Sequence, residues 1–314
     1  MESASFPPAV YFGKPPCLKA DMTGRPHRPD QTKARPYRVS KWLGRNWARV
    51  HYARRVEPTW LEVNDHELPI ADLGPAFDGF RIAQISDLHC GRQLTDDYLQ
   101  QVVAAAQGEE PDAIVLTGDF IHKGFRHVER AADSLVDLSA PHGVYAVLGN
   151  HDHSIRNALG IRRHRHLSRA ITDALIARGI RVLDNEAVTF QRGNDYLHMA
   201  GVDDLWSRRC DLDRALAGLD ADTPRVVLAH NPRTVERLDG RRCDVMLSGH
   251  THGGQVDWPG LGRVTLGRKA KQYAAGLYRH EQTHLYVNKG VGFGWRFRFG
   301  VRPEVAVFQL RRTS

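Results

Sequence analysis

Five short apolar runs, each breaking off into a small cluster of acids, amides and imidazoles, constrain this chain more than any other feature. The run Phe80-Arg-Ile-Ala-Gln-Ile ends in Ser86-Asp87-Leu88-His89, and Ala113-Ile-Val-Leu-Thr ends in Gly118-Asp119. Gly143-Val-Tyr-Ala-Val-Leu ends in Gly149-Asn150-His151-Asp152, and Arg225-Val-Val-Leu-Ala in His230-Asn231-Pro232. Asp244-Val-Met-Leu leads into Ser248-Gly249-His250-Thr251-His252-Gly253-Gly254-Gln255. Short runs of this kind bounded by turn residues read as buried strands. In an open α/β sheet, ligands bind beyond the carboxyl ends of the strands, so five clusters at strand ends converge on one site.

Between the early runs lie helical patterns. Residues 95–107 read as a helix capped by Thr95 with Asp96 and Asp97 in its first turn. Further helical segments are expected over 128–138 and 155–178. Short strands are expected at 181–183, 187–191, 196–200, 284–287 and 305–310. Strands and helices alternate first and strands dominate later, which predicts an α/β fold of mixed sheets packed face to face with helices outside.

Ahead of Phe80 the pattern differs. Residues 1–38 are rich in Pro, Arg and Lys without apolar periodicity and read as a basic, disordered tail. Residues 39–79 read as an amphipathic helix, with Val39, Trp42, Leu43, Trp47 and Val50 on one face, and a lead-in to a catalytic domain over 80–314. That basic helix either lies in a membrane interface or packs its tryptophans on the domain. No run approaches the roughly 18 to 20 apolar residues of a spanning helix, and no export signal is read. The four cysteines are scattered without a Cys-x-x-Cys, which points to a reducing compartment rather than a disulfide framework. A cytoplasmic location is expected, with peripheral attachment to the inner face of a membrane as its variant. The net charge of +8 favours anionic partners but does not choose between phosphorylated small molecules, acidic lipid and nucleic acid.

The clusters offer Asp87 and Asp119, the amide oxygen of Asn150, and the imidazoles of His89, His230, His250 and His252. Oxygen and nitrogen donors without thiolates suit divalent first-row metals rather than a structural zinc knuckle. The set is too large for one tetrahedral ion and suits two ions about 3.5 to 4 Å apart that clamp a phosphoryl group.

The order Asp-x-His, Gly-Asp, Gly-Asn-His-Asp, His, Gly-His-x-His resembles the calcineurin-like metallophosphoesterases over about residues 80–310, and most of all their bacterial membrane-associated branch. The resemblance implies a four-layer α-β-β-α sandwich and two divalent ions, manganese first, with iron, zinc, magnesium or calcium as alternatives. By the same resemblance Asp87, His89 and His252 hold the first ion, Asn150, His230 and His250 the second, and Asp119 bridges. His151 then faces the substrate and donates a proton to the leaving oxygen. Some members carry an aspartate three residues after the bridging one to orient that histidine. Here the position is His122, so Asp152 or a backbone carbonyl orients His151, or His122 itself meets the substrate.

The implied activity is hydrolysis of a phosphodiester or pyrophosphate bond. Three features tilt the substrate toward a lipid-linked one such as UDP-2,3-diacylglucosamine: the tryptophan-bearing helix, the basic run Arg162-Arg163-His164-Arg165-His166, and Gly292-Phe-Gly-Trp-Arg-Phe-Arg-Phe-Gly. In the last, Arg296 and Arg298 are read as substrate contacts, against a strand with buried aromatics. A nuclease or a broad phosphodiesterase and phosphomonoesterase stands as the alternative, and a non-catalytic membrane-binding scaffold as a third reading.

Overall fold

A computed structural model describes residues 47–156, 164, 166–268 and 270–313. The expected basic tail and the first residues of the expected amphipathic helix lie outside them, as do Arg162, Arg163 and Arg165 of the basic run. Two six-stranded mixed sheets face each other with helices on their outer sides, so the expected four-layer α-β-β-α architecture is the one observed.

The first sheet contains β1 (Glu62–Ile70), β2 (Arg81–Ile85), β3 (Ala113–Thr117), β4 (Val144–Val147), β5 (Arg181–Val182) and β12 (Glu304–Arg312), in the order β1-β12-β2-β3-β4-β5. Strands β2 to β5 run parallel, while β12 pairs antiparallel with β2 and parallel with β1. The second sheet contains β6 (Glu186–Arg192), β7 (Asp195–Gly201), β8 (Arg225–Leu228), β9 (Val245–Ser248), β10 (Gly276–His280) and β11 (Thr283–Val287), in the order β10-β11-β9-β8-β7-β6. Its central strands β7, β8, β9 and β11 are parallel, with antiparallel edges.

Period-two alternation explains the double-sided burial. In β2, Ile82 faces the inter-sheet core with Phe308, Leu228 and Leu247, while Ala83 and Ile85 face the helices. Helices α2 (Asp96–Gly108), α3 (Val128–Asp133) and α4 (Leu167–Ile176) cover that outer face through Leu99, Val102, Ala131, Ile171 and Leu175. Each large apolar side chain so buried contributes about 1.5 to 3 kcal/mol. On the far side, α5 (Leu212–Leu216) covers the second sheet through Leu212 and Leu216. The expected cap of α2 is present, with Thr95 Oγ1 accepting the Tyr98 amide at 3.3 Å.

Strand β1 has no counterpart among the expected strands, because its face toward solvent carries Asp65 and Glu67 and its pattern is too polar to stand out. It is nonetheless tied in over its full length to β12, with Asn64 donating to Glu304, and His66 reaches the Tyr286 hydroxyl of β11 in the facing sheet at 3.0 Å. Strand β10 likewise has no expected counterpart. Residues 47–55 are helical (α1), and Trp47 and Val50 stay exposed while Ala53 is buried against the Arg298 amide. No helix among the described residues is long and apolar enough to cross a membrane. Cys90, Cys210 and Cys243 are free thiols.

Candidate metal centre

Parallel strands β2, β3 and β4 of one sheet and β8 and β9 of the other all end at the same edge of the sandwich. Their trailing loops are interlocked by backbone bonds: Asp87 N to Gly118 O at 3.0 Å, His89 N to Asp119 O at 2.9 Å and Gly249 N to His230 O at 3.0 Å. Close approach at two positions requires glycine. A Cβ on Gly149 would overlap the Asp119 carboxylate, and one on Gly249 would overlap Ser86 and Asp87.

The backbone is held in the left-handed region at Asp87, His89, Asp119, His250 and His252, with φ between 46° and 74°. Non-glycine residues seldom adopt this conformation, which costs of order 1–3 kcal/mol each and concentrates at functional sites. Five such residues at one strand edge are therefore a functional signature in their own right.

Side chains from these loops form two donor groups. Asp87, His89 and His252 offer atoms within 4.8 Å of one another, and so do Asp87, Asp119 and His230. Within the first group, His89 Nε2 and His252 Nε2 face each other at 2.8 Å, and His252 Nε2 lies 3.4 Å from Asp87 Oδ1. Asp87 belongs to both groups, and Asp119 Oδ2 of the second also reaches toward the first, 3.3 Å from His230 Nε2 and 3.5 Å from His89 Nε2. His250 Nδ1 lies 3.3 Å from His230 Nε2.

Whether this set fits metal ions can be tested on its hydrogen bonding. Asn150 donates its amide to the Ile155 carbonyl at 2.6 Å, yet its buried Oδ1 has no partner among the described residues. An orphaned buried oxygen costs about 1–3 kcal/mol, so it calls for a ligand. His230 Nδ1 donates to Thr117 O at 2.7 Å, which fixes its tautomer and aims Nε2 at Asp119. Two buried carboxylates, an unpaired amide oxygen and converging ring nitrogens form a donor set that divalent ions complete.

Protonation differs across the group. Burial, and then the neighbouring rings, drive His89 and His252 well below the usual histidine range. Burial and His230 push His250 down to about 3. Burial also resists charging of His230, but Asp119, with Asp87 and Asp204 behind it, outweighs burial and raises it to about 10. Burial lifts Asp87 to about 6, opposed by His230 and assisted by Asp119.

His151 sits beside both groups, its ring perpendicular to His89 with centroids 4.7 Å apart. Its Nδ1 donates to the His122 carbonyl at 3.0 Å, leaving Nε2 for a substrate. Of the orientations open from sequence, the backbone carbonyl is the one present. Asp152 plays a different part. It is buried and accepts the amides of Asp119 at 2.8 Å, Gly149 at 2.9 Å and Phe120 at 2.9 Å, which clamps the loops after β3 and β4 together. His122 also offers its ring to the site, grouped with His89 and His151 within 4.8 Å.

Two residues expected as substrate contacts stand elsewhere. Arg298 is fully buried and donates to the carbonyls of Lys289, Gly290, Gly292 and Val301 at 2.6–3.3 Å. A guanidinium whose two terminal nitrogens are held by four carbonyls buttresses the loop behind Asp87 and is not open to a ligand. Arg296 lines a separate hollow with Thr59, Asp97 and Gln101. Phe297 and Trp295 stack on each other at 5.0 Å in an irregular segment, so the alternative of a strand does not form, while Phe293 and Gly294 of the same segment line the cleft at His89.

Two clefts open on the centre. One, of about 420 Å³, begins at His89 and His122 and is walled by Arg92, Lys123 and Arg126, residues that no motif in the sequence singles out. The other, of about 200 Å³, begins at His250 and is lined by Trp206, Pro232 and Tyr273. Trp206 meets the His250 ring edge-on at 4.5 Å.

This fold and this strand-edge donor set define a metallophosphoesterase. The chain belongs to the calcineurin-like phosphoesterase family, whose model matches residues 80–254, and it is a phosphoester hydrolase. Among its relatives, the metallophosphoesterase YkuE of Bacillus subtilis is 32% identical over 84% of this chain and 90% of its own length. The phosphodiesterase YaeI of Escherichia coli is 33% identical over 83% of this chain and 91% of its own. The UDP-2,3-diacylglucosamine pyrophosphatase LpxG of Chlamydia trachomatis is 29% identical over 82% and 92%.

Proposed function

We propose that the chain is a dinuclear-metal phosphohydrolase that cleaves a phosphodiester or pyrophosphate bond, with a lipid-linked substrate as its preferred form. The observation that carries this is Asp119, whose carboxylate lies 3.3 Å from His230 in one donor group and 3.5 Å from His89 in the other, and accepts the His151 amide. Asp87, His89 and His252 hold one ion in this reading, and Asn150, His230 and His250 the other. The ions supply an activated water and offset charge on the phosphoryl oxygens.

The protein's own groups do the rest. The His122 carbonyl holds His151 in the tautomer whose Nε2 faces the reacting group, and the protonated ring gives that proton to the leaving oxygen. Asp152, by gripping three backbone amides, keeps Asp119 and Asn150 in register with each other. The left-handed turns aim their side chains before a substrate arrives, so little reorganisation is needed during reaction.

The phosphodiesterase and pyrophosphatase names carried by YaeI and LpxG support these two bond types, and LpxG supports the lipid-linked form. The exposed Trp47 and Val50 of α1 offer an apolar contact to a membrane surface on the inner face, again as part of this reading. The test is turnover of bis-p-nitrophenyl phosphate with Mn²⁺. Metal-dependent hydrolysis that disappears in Asp119→Asn supports the reading; no turnover with Mn²⁺, Fe²⁺, Zn²⁺, Mg²⁺ or Ca²⁺ contradicts it.

A further inference from the structure

The cleft that opens at His89 differs from an ordinary charged surface in three respects. Its cations come from two loops already locked to the metal centre. Arg92 follows the turn that carries His89, and Lys123 and Arg126 follow His122. These loops are bonded to each other by Cys90 N to Phe120 O at 2.8 Å and His122 N to Cys90 O at 3.1 Å. A fourth arginine spends itself on rigidity: Arg130 donates to Gly91 O at 2.8 Å, Leu94 O at 2.6 Å and Asp96 at 2.8 Å. The segment bearing Arg92 is thereby fixed and not a floppy surface turn.

The second respect is charge balance. Arg178, Arg209, Arg233 and Arg241 each pair with a carboxylate within 2.7 Å. No carboxylate among the described residues forms an ion pair with Arg92, Lys123 or Arg126; other exposed arginines such as Arg54 and Arg208 are also unpaired, but here three such cations line one cleft. Three like charges converging on one concavity repel one another unless an anion stands among them. The third is position, since the same cleft reaches His89, a candidate ligand of the first ion, and the unpartnered ring nitrogen Nδ1 of His122. An anion held there shares one cleft with His89 and His122. The cleft at His250, walled by Trp206, Pro232 and Tyr273, has no such character.

From this geometry we infer that the substrate is a diphosphate ester, whose scissile phosphoryl group sits on the metal centre while its second phosphate is gripped by Arg92, Lys123 and Arg126. The inference rests on the hydrolase reading and narrows its substrate class. Guanidinium and ammonium donors form charge-assisted bonds to phosphate, and Arg92 and Arg126 can each do so with two parallel N–H groups. On the other side of the scissile phosphorus, the aromatic cleft takes the apolar or planar part of the molecule.

Calorimetry on the Mn²⁺-loaded protein tests this with two non-hydrolysable probes, methylphosphonate and methylenediphosphonate. The ratio of their dissociation constants is read within each protein, so a general loss of affinity does not enter it. In R92Q/K123Q/R126Q the preference for the diphosphonate should fall at least about tenfold relative to the unsubstituted chain. Lys123→Gln alone, at an exposed position, should lower it in the same direction by a smaller factor and guards against a folding defect in the triple variant. An unchanged ratio in both variants overturns the second-phosphate site while leaving the hydrolase reading intact. Binding of neither probe overturns both. Turnover of a soluble nucleoside diphosphate ester, or of a diphosphate ester carried in detergent micelles, supports the inference and separates a soluble from a lipid-borne source. Turnover of bis-p-nitrophenyl phosphate with neither diphosphate ester overturns it.

Discussion

His89 with His252, and His230 with His250, are two imidazole pairs built on the same strand edge to different specifications. The first pair is driven toward neutrality by burial and then by neighbouring rings, His151 at His89 and His89 at His252, so both rings are ready to coordinate near neutral pH. In the second pair only His250 is depressed, to about 3, while the acids around His230 raise it to about 10. In the proposed assignment one metal position therefore needs no proton displaced from its rings and the other must release one. The difference arises from the acids around His230, Asp119 first with Asp87 and Asp204 behind it, whereas around His89 burial and neighbouring rings outweigh Asp119. A carboxylate within 3.5 Å of both His89 and His230 also couples the protonation of the two rings.

Removing the shared carboxylate should have the largest effect. Asp119→Asn is expected to lose both ions and about a thousandfold or more in kcat, since several kcal/mol of charge stabilisation disappears with them. Elemental analysis beside bis-p-nitrophenyl phosphate kinetics reads both. His151→Ala touches neither position, so it should lower kcat by about 10² to 10⁴ with the metal content unchanged. Loss of metal in that variant would show that His151 coordinates.

The division itself is tested by His252→Asn against His230→Asn. Each should weaken its own ion by at least about tenfold before the other, read by Mn²⁺ titration. Equal weakening of both ions in each variant would remove the comparison.

Smaller effects follow pH. A group raised from its ordinary value in the folded state stabilises fully below the unfolded value and loses that contribution as pH rises. For His230 that window runs from about 6.5 to about 10. After chelation, the protein should lose stability from pH 7 to 9 by about 1.4 kcal/mol per unit at most, read as a falling Tm, while Mn²⁺ suppresses the fall. Depressed His89, His252 and His250 contribute in the opposite sense, and only as pH drops below about 6.5. A Tm of the chelated protein that rises from pH 7 to 9 would contradict the assignment. Asp152→Asn should be milder for chemistry than any ligand change, costing about 1–3 kcal/mol because one amide is left without its acceptor.

How much of this is legible in the sequence depends on the kind of interaction. Candidate ligands are legible because a buried strand that ends in Gly-Asp or Gly-Asn-His-Asp declares both its end and its chemistry. The two-sheet fold is legible for the same reason, as runs such as Arg225–Leu228 are apolar on both faces. Strand β1 is hidden because its exposed face is charged and only pairing with β12 makes it a strand. The orientation of His151 stays open in the sequence, because a backbone carbonyl three residues after Asp119 has no sequence signature. Arg298 misleads since alternating aromatics and arginines look like a surface wall, while four carbonyls folded over the guanidinium bury it. Arg92, Lys123 and Arg126 look like ordinary cations until two loops put them in one cleft.

The most direct test of the central claim is a Mn²⁺-soaked crystal measured at the manganese absorption edge. The account predicts two anomalous peaks about 3.5 to 4 Å apart, with Asp119 between them, His89 and His252 at one and His230 and His250 at the other. A single peak, or two peaks of which only one touches Asp119, would contradict it.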